Sequence, residues 1–241
     1  MPFAVRRPLT ALLLAGLTHA AAAAPAVAYT VPVPPWTFPG AQEKGVATEY
    51  LRYLFDTAGV PLTLDSLPYV RVINGLRDGS NTAAVLIPDA ERDTFALRLC
   101  QVTTIRSGIL YKRSRYGELN MSRLSGLIVG MQRGTHALDR LNSVPGLQPY
   151  IIDSIDQGLK MLEKDRLDAT FVSSPGSEIL LAAAGLSRSD YGWLQVQEQP
   201  VVIYVSRRAP LIQDSAALDR LRAVCDGSGR AVMQKLVEHY R

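Results

Sequence analysis

Apolar strand-like runs alternate with amphipathic helical stretches along this chain, and the alternation occurs twice. In the first series Thr30-Val31-Pro32-Val33 reads as a short strand despite its prolines. Val46, Tyr50, Leu51, Leu54, Phe55 and Ala58 then follow helical spacing, and Gly59 stops that helix. Val60 to Leu64 is strand-like, Val70 to Leu76 is helical with an end near Gly79, and Ala83 to Ile87 is an apolar strand. Parallel strands can be joined only by a crossover, so this order predicts a parallel sheet. The second series begins with a strand at Leu127-Ile128-Val129-Gly130 and a helix from Gly134-Thr135 through Leu141. Tyr150-Ile151-Ile152 is a strand, and Ser154-Ile155-Asp156-Gln157 is a capping box for a helix with Ile155, Leu159 and Leu162 on one face. Ala169 to Val172 is a strand, Glu178 to Ala184 a helix stopped by Gly185, and Val201 to Val205 a long apolar strand. Two amphipathic helices, 216–224 and 229–240, end the chain.

Two small α/β units in tandem define a cleft. Ligands of open parallel sheets bind outside the carboxyl ends of the strands. When two such sheets face each other, a solute sits between the lobes and closure is a hinge motion about the connecting strands.

Residues 1–28 read as a secretory signal. Arg6 and Arg7 form its charged start, Leu12 to Leu17 and the alanines after them its apolar stretch, and Ala26-Val27-Ala28 a small-x-small cleavage site. Cleavage there would leave Tyr29 first; Ala22-Ala23-Ala24 is a second possible site. The apolar part is too short and alanine-rich for a membrane span. Without this segment the net charge of +4 falls to about +2, which together with the lack of Lys/Arg runs argues against a nucleic-acid partner. At 47% hydrophobic and 20% charged residues the rest has the make-up of an ordinary globular protein.

Cys100 and Cys225 are the only cysteines. In an oxidising compartment an isolated pair is a candidate disulfide, here closing a very long loop; two buried thiols are the alternative. Of the three histidines only His136 and His239 follow the signal, and neither has a metal-ligand partner at useful spacing. No nucleophile elbow, and no paired carboxylates beside a histidine, point to an enzyme.

The segment Ile87-Pro88-Asp89-Ala90-Glu91-Arg92 leads through Cys100-Gln101-Val102-Thr103-Thr104 into the apolar run Gly108-Ile109-Leu110-Tyr111. A turn placed just before a strand that leaves its lobe puts the Arg92 guanidinium at a sheet edge near a hinge. An arginine there can hold a carboxylate through two parallel charge-assisted hydrogen bonds. The plainer alternative is a surface arginine paired with Glu91 or Asp93.

Motif order extends this reading. Pro34-Pro35-Trp36-Thr37-Phe38 follows the first strand and Gly45 opens the first helix. Leu67-Pro68-Tyr69-Val70-Arg71 precedes the second helix, and Glu91-Arg92 follows the third strand. Val129-Gly130-Met131-Gln132-Arg133-Gly134-Thr135 and Asp165-Arg166-Leu167-Asp168-Ala169 lie in the second half, and Asp226-Gly227-Ser228-Gly229 between the last helices. In this order the motifs resemble the bacterial periplasmic solute-binding proteins of the amino-acid-binding class, solute-binding family 3, over nearly the whole chain after residue 28.

The resemblance implies a type II periplasmic binding protein fold with the ligand cleft between two lobes and the C-terminal helices packed on lobe 1. The expected division is 29–108 for the first part of lobe 1, 109–206 for lobe 2 and 207–241 for the return to lobe 1. Arg92 matches the arginine that grips a ligand carboxylate, and Gly134-Thr135 the helix start that offers backbone N–H groups and a hydroxyl to the same anion. Ser173 stands where relatives place an aspartate for the ligand ammonium, and Leu86-Ile87-Pro88 replaces small polar residues. A serine cannot neutralise a cation, which points to a carboxylate without an ammonium or to a dipolar ligand held differently. Trp36 reads either as an apolar wall of the cleft or as a cap on the lobe 1 core. Arg71 reads as a cleft residue or as a pairing at the start of its helix, Asp168 as a turn-fixing residue, and His136 either as a ligand contact beside Thr135 or as a residue on an exposed helix turn.

The expected function is therefore an exported, periplasmic solute-binding protein, not an enzyme, without cofactor or metal. It is expected to be a monomer that captures a small carboxylate-bearing solute, an amino acid or a related anion, in the interlobe cleft and delivers it to an inner-membrane ABC permease. The alternative is an exported accessory, assembly or sensory protein that keeps the fold without metabolite transport.

Overall fold

Two long antiparallel strands, β4 (Ala96–Lys112) and β8 (Tyr191–Ser206), pair along nearly their whole length and run through both halves of the molecule. The computed structural model describes residues 25–40, 44–133, 141, 143–174 and 176–240. On one flank of the long pair lie β1 (Ala26–Thr30), β2 (Leu62–Ser66) and β3 (Ala83–Leu86); on the other lie β5 (Ile128–Gln132), β6 (Gln148–Ile152) and β7 (Ala169–Ser174). The eight strands form one sheet in the order β2-β1-β3-β8-β4-β7-β5-β6. Each flanking trio is parallel within itself and meets the long pair antiparallel. The two parallel units expected from the alternation are thus both present.

The helices form where apolar periodicity and local stop signals coincide. Helix α1 (Val46–Thr57) buries Tyr50, Leu51, Leu54 and Phe55 completely. Burying one such side chain contributes about 1.5–3 kcal/mol. Helix α2 (Tyr69–Asp78) ends at Gly79, whose φ of 93° few other residues adopt. Helix α3 (Ala90–Phe95) is capped by Asp89, which accepts from the Arg92 N–H at 3.0 Å. A single turn, α4 (Arg113–Tyr116), follows β4. Helix α5 (Ile155–Glu163) starts on the expected capping residues: the Ser154 hydroxyl accepts from the Gln157 N–H at 3.1 Å. The Gln157 side chain reaches back one residue further than a standard capping box, to the Asp153 N–H at 2.7 Å. Helices α6 (Gly176–Ala183), α7 (Ser215–Val224) and α8 (Arg230–His239) complete the set among the described residues.

The first strand lies upstream of its expected place. Of Thr30-Val31-Pro32-Val33 only Thr30 is in β1. Proline cannot donate to a ladder, so Ala26–Thr30 carries the pairing with β2 instead. Ala26 and Ala28 are buried in the core, so the cleavage expected after Ala28 would cut inside β1. Residues 1–24 lie outside the described residues.

Four apolar clusters, two on each side of the molecule, form the core. Leu99, Val102 and Ile105 of β4 and Val201, Ile203 and Val205 of β8 belong to the first side. Ile109 and Tyr111 of β4 and Val196 of β8 belong to the second. The change of core therefore falls between Ile105 and Ile109 on one strand and between Val196 and Val201 on the other. On β8 this is earlier than the expected 206/207 boundary, because Val201–Val205 face the first-lobe core. Ala217, Leu218 and Leu221 of α7 and Met233 of α8 pack in the same cluster as Tyr50 and Leu54, so the C-terminal helices rest on lobe 1.

Cys100 of β4 and Cys225, in the kinked turn between α7 and α8, form a disulfide with Cα atoms 6.5 Å apart. The bond ties the returning helices to a crossing strand over a sequence separation of 125 residues. Thiol titration of the denatured, unreduced protein is expected to find no free thiol, and two per chain would reject the bond. The Cys100→Ser/Cys225→Ser variant is expected to lose about 2–5 kcal/mol of unfolding free energy in urea.

Candidate functional site

The carboxyl ends of the parallel strands from both flanks open onto one cavity of about 170 Å³. Lobe 1 supplies Val31, Val33 and Trp36 from the loop after β1, Leu86 and Ile87 from the end of β3, and Tyr69 from the start of α2. Lobe 2 supplies Phe171, Val172 and Ser173 of β7, Gln132 of β5 and Ile155 at the start of α5. The crossing strands contribute Ile105, Ser107 and Val201. The volume is below the roughly 300–1,000 Å³ common for drug-sized ligands. Among the described residues no Asp, Glu, Lys, Arg or His lines it. The lobes also touch directly: a Cβ placed on Gly176 would stand 2.9 Å from the Pro34 carbonyl oxygen.

Trp36 lines the cleft and packs against the lobe 1 core. Ser173 lines the cleft opposite Ser107, its register partner across β4 and β7. Ser107 is 1% exposed and its hydroxyl has no hydrogen-bond partner among the described residues. Nothing in the sequence marked it. It sits at the shift of register between Ser107 and Gly108, and such irregularities re-aim a strand side chain.

Arg92 is placed differently from either alternative. It is 3% exposed and is not among the cleft-lining residues. Glu91 pairs with Arg77 at 2.6 Å and Asp93 with Arg98, while Arg92 turns inward. Its Nη1 donates to the Ile87 carbonyl and its Nη2 to the Tyr69 hydroxyl at 2.7 Å. Its carbon Cζ lies 5.5 Å from the centre of the Tyr204 ring, a cation–π arrangement. Ile87 and Tyr69 both line the cleft, so Arg92 braces that wall from behind. Burial pushes the Tyr69 phenol up, against the opposing pull of the Arg92 charge. Around this group the Tyr204 hydroxyl donates to Asp93 at 2.9 Å and accepts from the Asp89 N–H at 3.2 Å. The Arg98 hydrogen bonds hold the Asp93 carboxyl below the usual carboxylate range.

Arg71 is exposed on the first turn of α2, away from the cleft-lining residues. Asp168 fixes the start of β7 beside β5: it accepts from the Ile128 N–H at 2.7 Å and the Tyr116 hydroxyl at 2.5 Å and pairs with Arg115 at 2.8 Å. Burial and that bond push the Tyr116 phenol up to about 12. Gly134, Thr135 and His136 lie outside the described residues.

Truncating Arg92 to Ala leaves the Ile87 carbonyl and the Tyr69 hydroxyl without their donor. A stability loss of about 2–4 kcal/mol is expected in chemical denaturation. A loss below about 0.5 kcal/mol, typical of a surface position, would show the guanidinium to be free in the cleft.

No protein-family model matches the chain, and neither does any curated protein sequence. Solved structures do. The substrate binding protein of an amino acid ABC transporter superposes with a TM-score of 0.71 at 16% identity, over 89% of this chain and 98% of that one. The GluR0 ligand-binding core from Nostoc punctiforme, in complex with L-glutamate, gives 0.73 at 16% over 90% and 99%. A double mutant of the BvgS VFT2 domain of Bordetella pertussis gives 0.75 at 14% over 90% and 93%. At such identities the likeness concerns the fold, and together with the two cores, the two crossing strands and the cleft between them it establishes that the chain has the two-lobe type II periplasmic binding protein fold.

Proposed function

We propose that this chain is an exported solute-binding protein that captures a small carboxylate-bearing solute in the interlobe cleft and delivers it to an ABC-type permease. The observation that carries the reading is the cavity itself. It is built from both lobes at the crossing strands, so a bound solute favours the closed arrangement by contacting both sides. Similar folds include a substrate binding protein of an amino acid ABC transporter and an ancestral arginine-binding protein bound to arginine. Among the described residues the lining is apolar side chains with hydroxyl and amide groups, which hold and orient a ligand without moving protons at neutral pH. This favours binding over catalysis.

Export rests on the N-terminal segment as a signal, with cleavage at the second of the two sites read there, Ala22-Ala23-Ala24, so that β1 (Ala26–Thr30) stays whole. Among the described residues no helix is long and apolar enough to cross a membrane. Sequencing the exported protein is expected to place its first residue before Ala26; a start at Tyr29 would mean that β1 is assembled without its buried alanines.

Thermal denaturation against a panel of small carboxylates and amino acids tests the binding role. A ligand at 100 times its Kd adds about 2.7 kcal/mol of stability, a shift easily read for a protein of this size. A panel without a single stabilising compound would favour the accessory role.

A further inference from the structure

We infer that the solute is a short carboxylic acid with an apolar body and no amino group, its carboxylate taken by the hydroxyls of Tyr69 and Ser107. This rests on the solute-binding reading above and narrows it.

The body follows from the walls. Val31, Val33 and Ile87 face the cleft from one lobe and Phe171 and Val172 from the other. An ammonium group lodged among them would lose its water and find, among the described lining residues, only neutral hydroxyl and amide groups such as Ser173 in exchange, and no carboxylate. Leaving a charged donor so poorly compensated is costly. An alkyl group in the same place gains from leaving water.

The head group follows from two unused donors. The Tyr69 oxygen already accepts from Arg92, its own proton has no acceptor among the described residues and is offered to a ligand, and burial keeps that proton in place. The Arg92 charge behind it makes the phenol a stronger donor to an anion. Arg92 is thus a positioning residue that acts through Tyr69. Ser107 is buried, lines the cleft, and has a hydroxyl without a partner among the described residues. Buried polar groups without partners are uncommon in folded proteins, and a ligand oxygen would satisfy this one. Ser173, its cross-strand neighbour, offers a further hydroxyl beside it.

Calorimetry with 3-methylbutanoate, valine and 3-methylbutanamide separates these terms, because the three share one carbon branch. The acid is expected to bind about 100-fold or more tightly than valine and about 10-fold more tightly than the amide. Ser107→Ala should weaken the acid about 10-fold and leave the melting temperature of the free protein unchanged, since that hydroxyl has no protein partner to lose. Tyr69→Phe should weaken the acid and abolish its preference over the amide; a merely structural tyrosine would weaken both alike. Valine binding as tightly as the acid overturns the inference and leaves the solute-binding reading standing. So does failure of the acid to bind while the wider panel returns another class. Unchanged affinity in both variants places the head group elsewhere and also overturns it. A blank panel removes the solute-binding reading itself.

Discussion

The pairing of β4 with β8 is the constraint on which the other features depend. These strands carry the chain from one core to the other twice, side by side, and their ladder continues through the gap between the cores. The close approach has steric requirements. A Cβ on Gly108 would fall 2.3 Å from the Leu194 carbonyl oxygen, and one on Gly192 would fall 2.1 Å from the Tyr111 ring. Both positions therefore require glycine. The ladder shifts register three times, the last time between Ser107 and Gly108, inside the stretch where the cores change. Twist concentrated at such a step lets the lobes face one another across a cleft. Ile105, Ser107 and Val201 lie both on the crossing strands and in the cleft for this reason.

The second organising element is the buried guanidinium of Arg92. A charge withdrawn from water is tolerated only when hydrogen bonds and polarisable neighbours replace the lost solvent. Here the Ile87 carbonyl and the Tyr69 hydroxyl take the two Nη groups and the Tyr204 ring lies beside the cation, while Nε has no hydrogen-bond partner among the described residues. The arrangement ties the end of β3, the start of α2 and a crossing strand to one point. It also fixes the orientation of two cleft residues that would otherwise be free to turn. Around it, Asp89, Asp93 and Arg98 form an outer layer whose members are satisfied mostly by each other and by Tyr204.

Much of this was legible in the sequence where a single segment carries the information. The apolar spacing of Val46 to Ala58, the Gly79 stop and the Ser154 cap act within a few residues, and α1, α2 and α5 appear where they were read. The lone cysteine pair was legible for a different reason: two cysteines allow one pairing. Features that depend on distant partners were not legible. The full length of β4 was hidden because its first half, Arg98 to Thr104, mixes polar and apolar residues across two register shifts. β1 was placed too late because Val31 and Val33 are strand formers in isolation, while Pro32 removes a donor the ladder needs. Arg92 read as a ligand grip or a surface residue because the groups that enclose it come from 87, 69 and 204. Ser107 gave no signal, since its orientation is set by a register shift between strands 80 residues and more apart in sequence.

The crosslink between Cys100 and Cys225 has a consequence for how the chain is made. Synthesis proceeds from the N-terminus at about 5–20 residues per second, so the 125 residues between the two sulfurs take roughly 6–25 s to appear. During that interval β1–β3 and α1–α3 exist without β8, α7 or α8, and Tyr50, Leu54 and Phe55 lack the side chains that later cover them. The other lobe needs only the continuous stretch from β4 to the first half of β8, so it can close its core first. The lobe that begins the chain is then the last to finish, and Cys100 must wait as a thiol until the final two helices bring its partner.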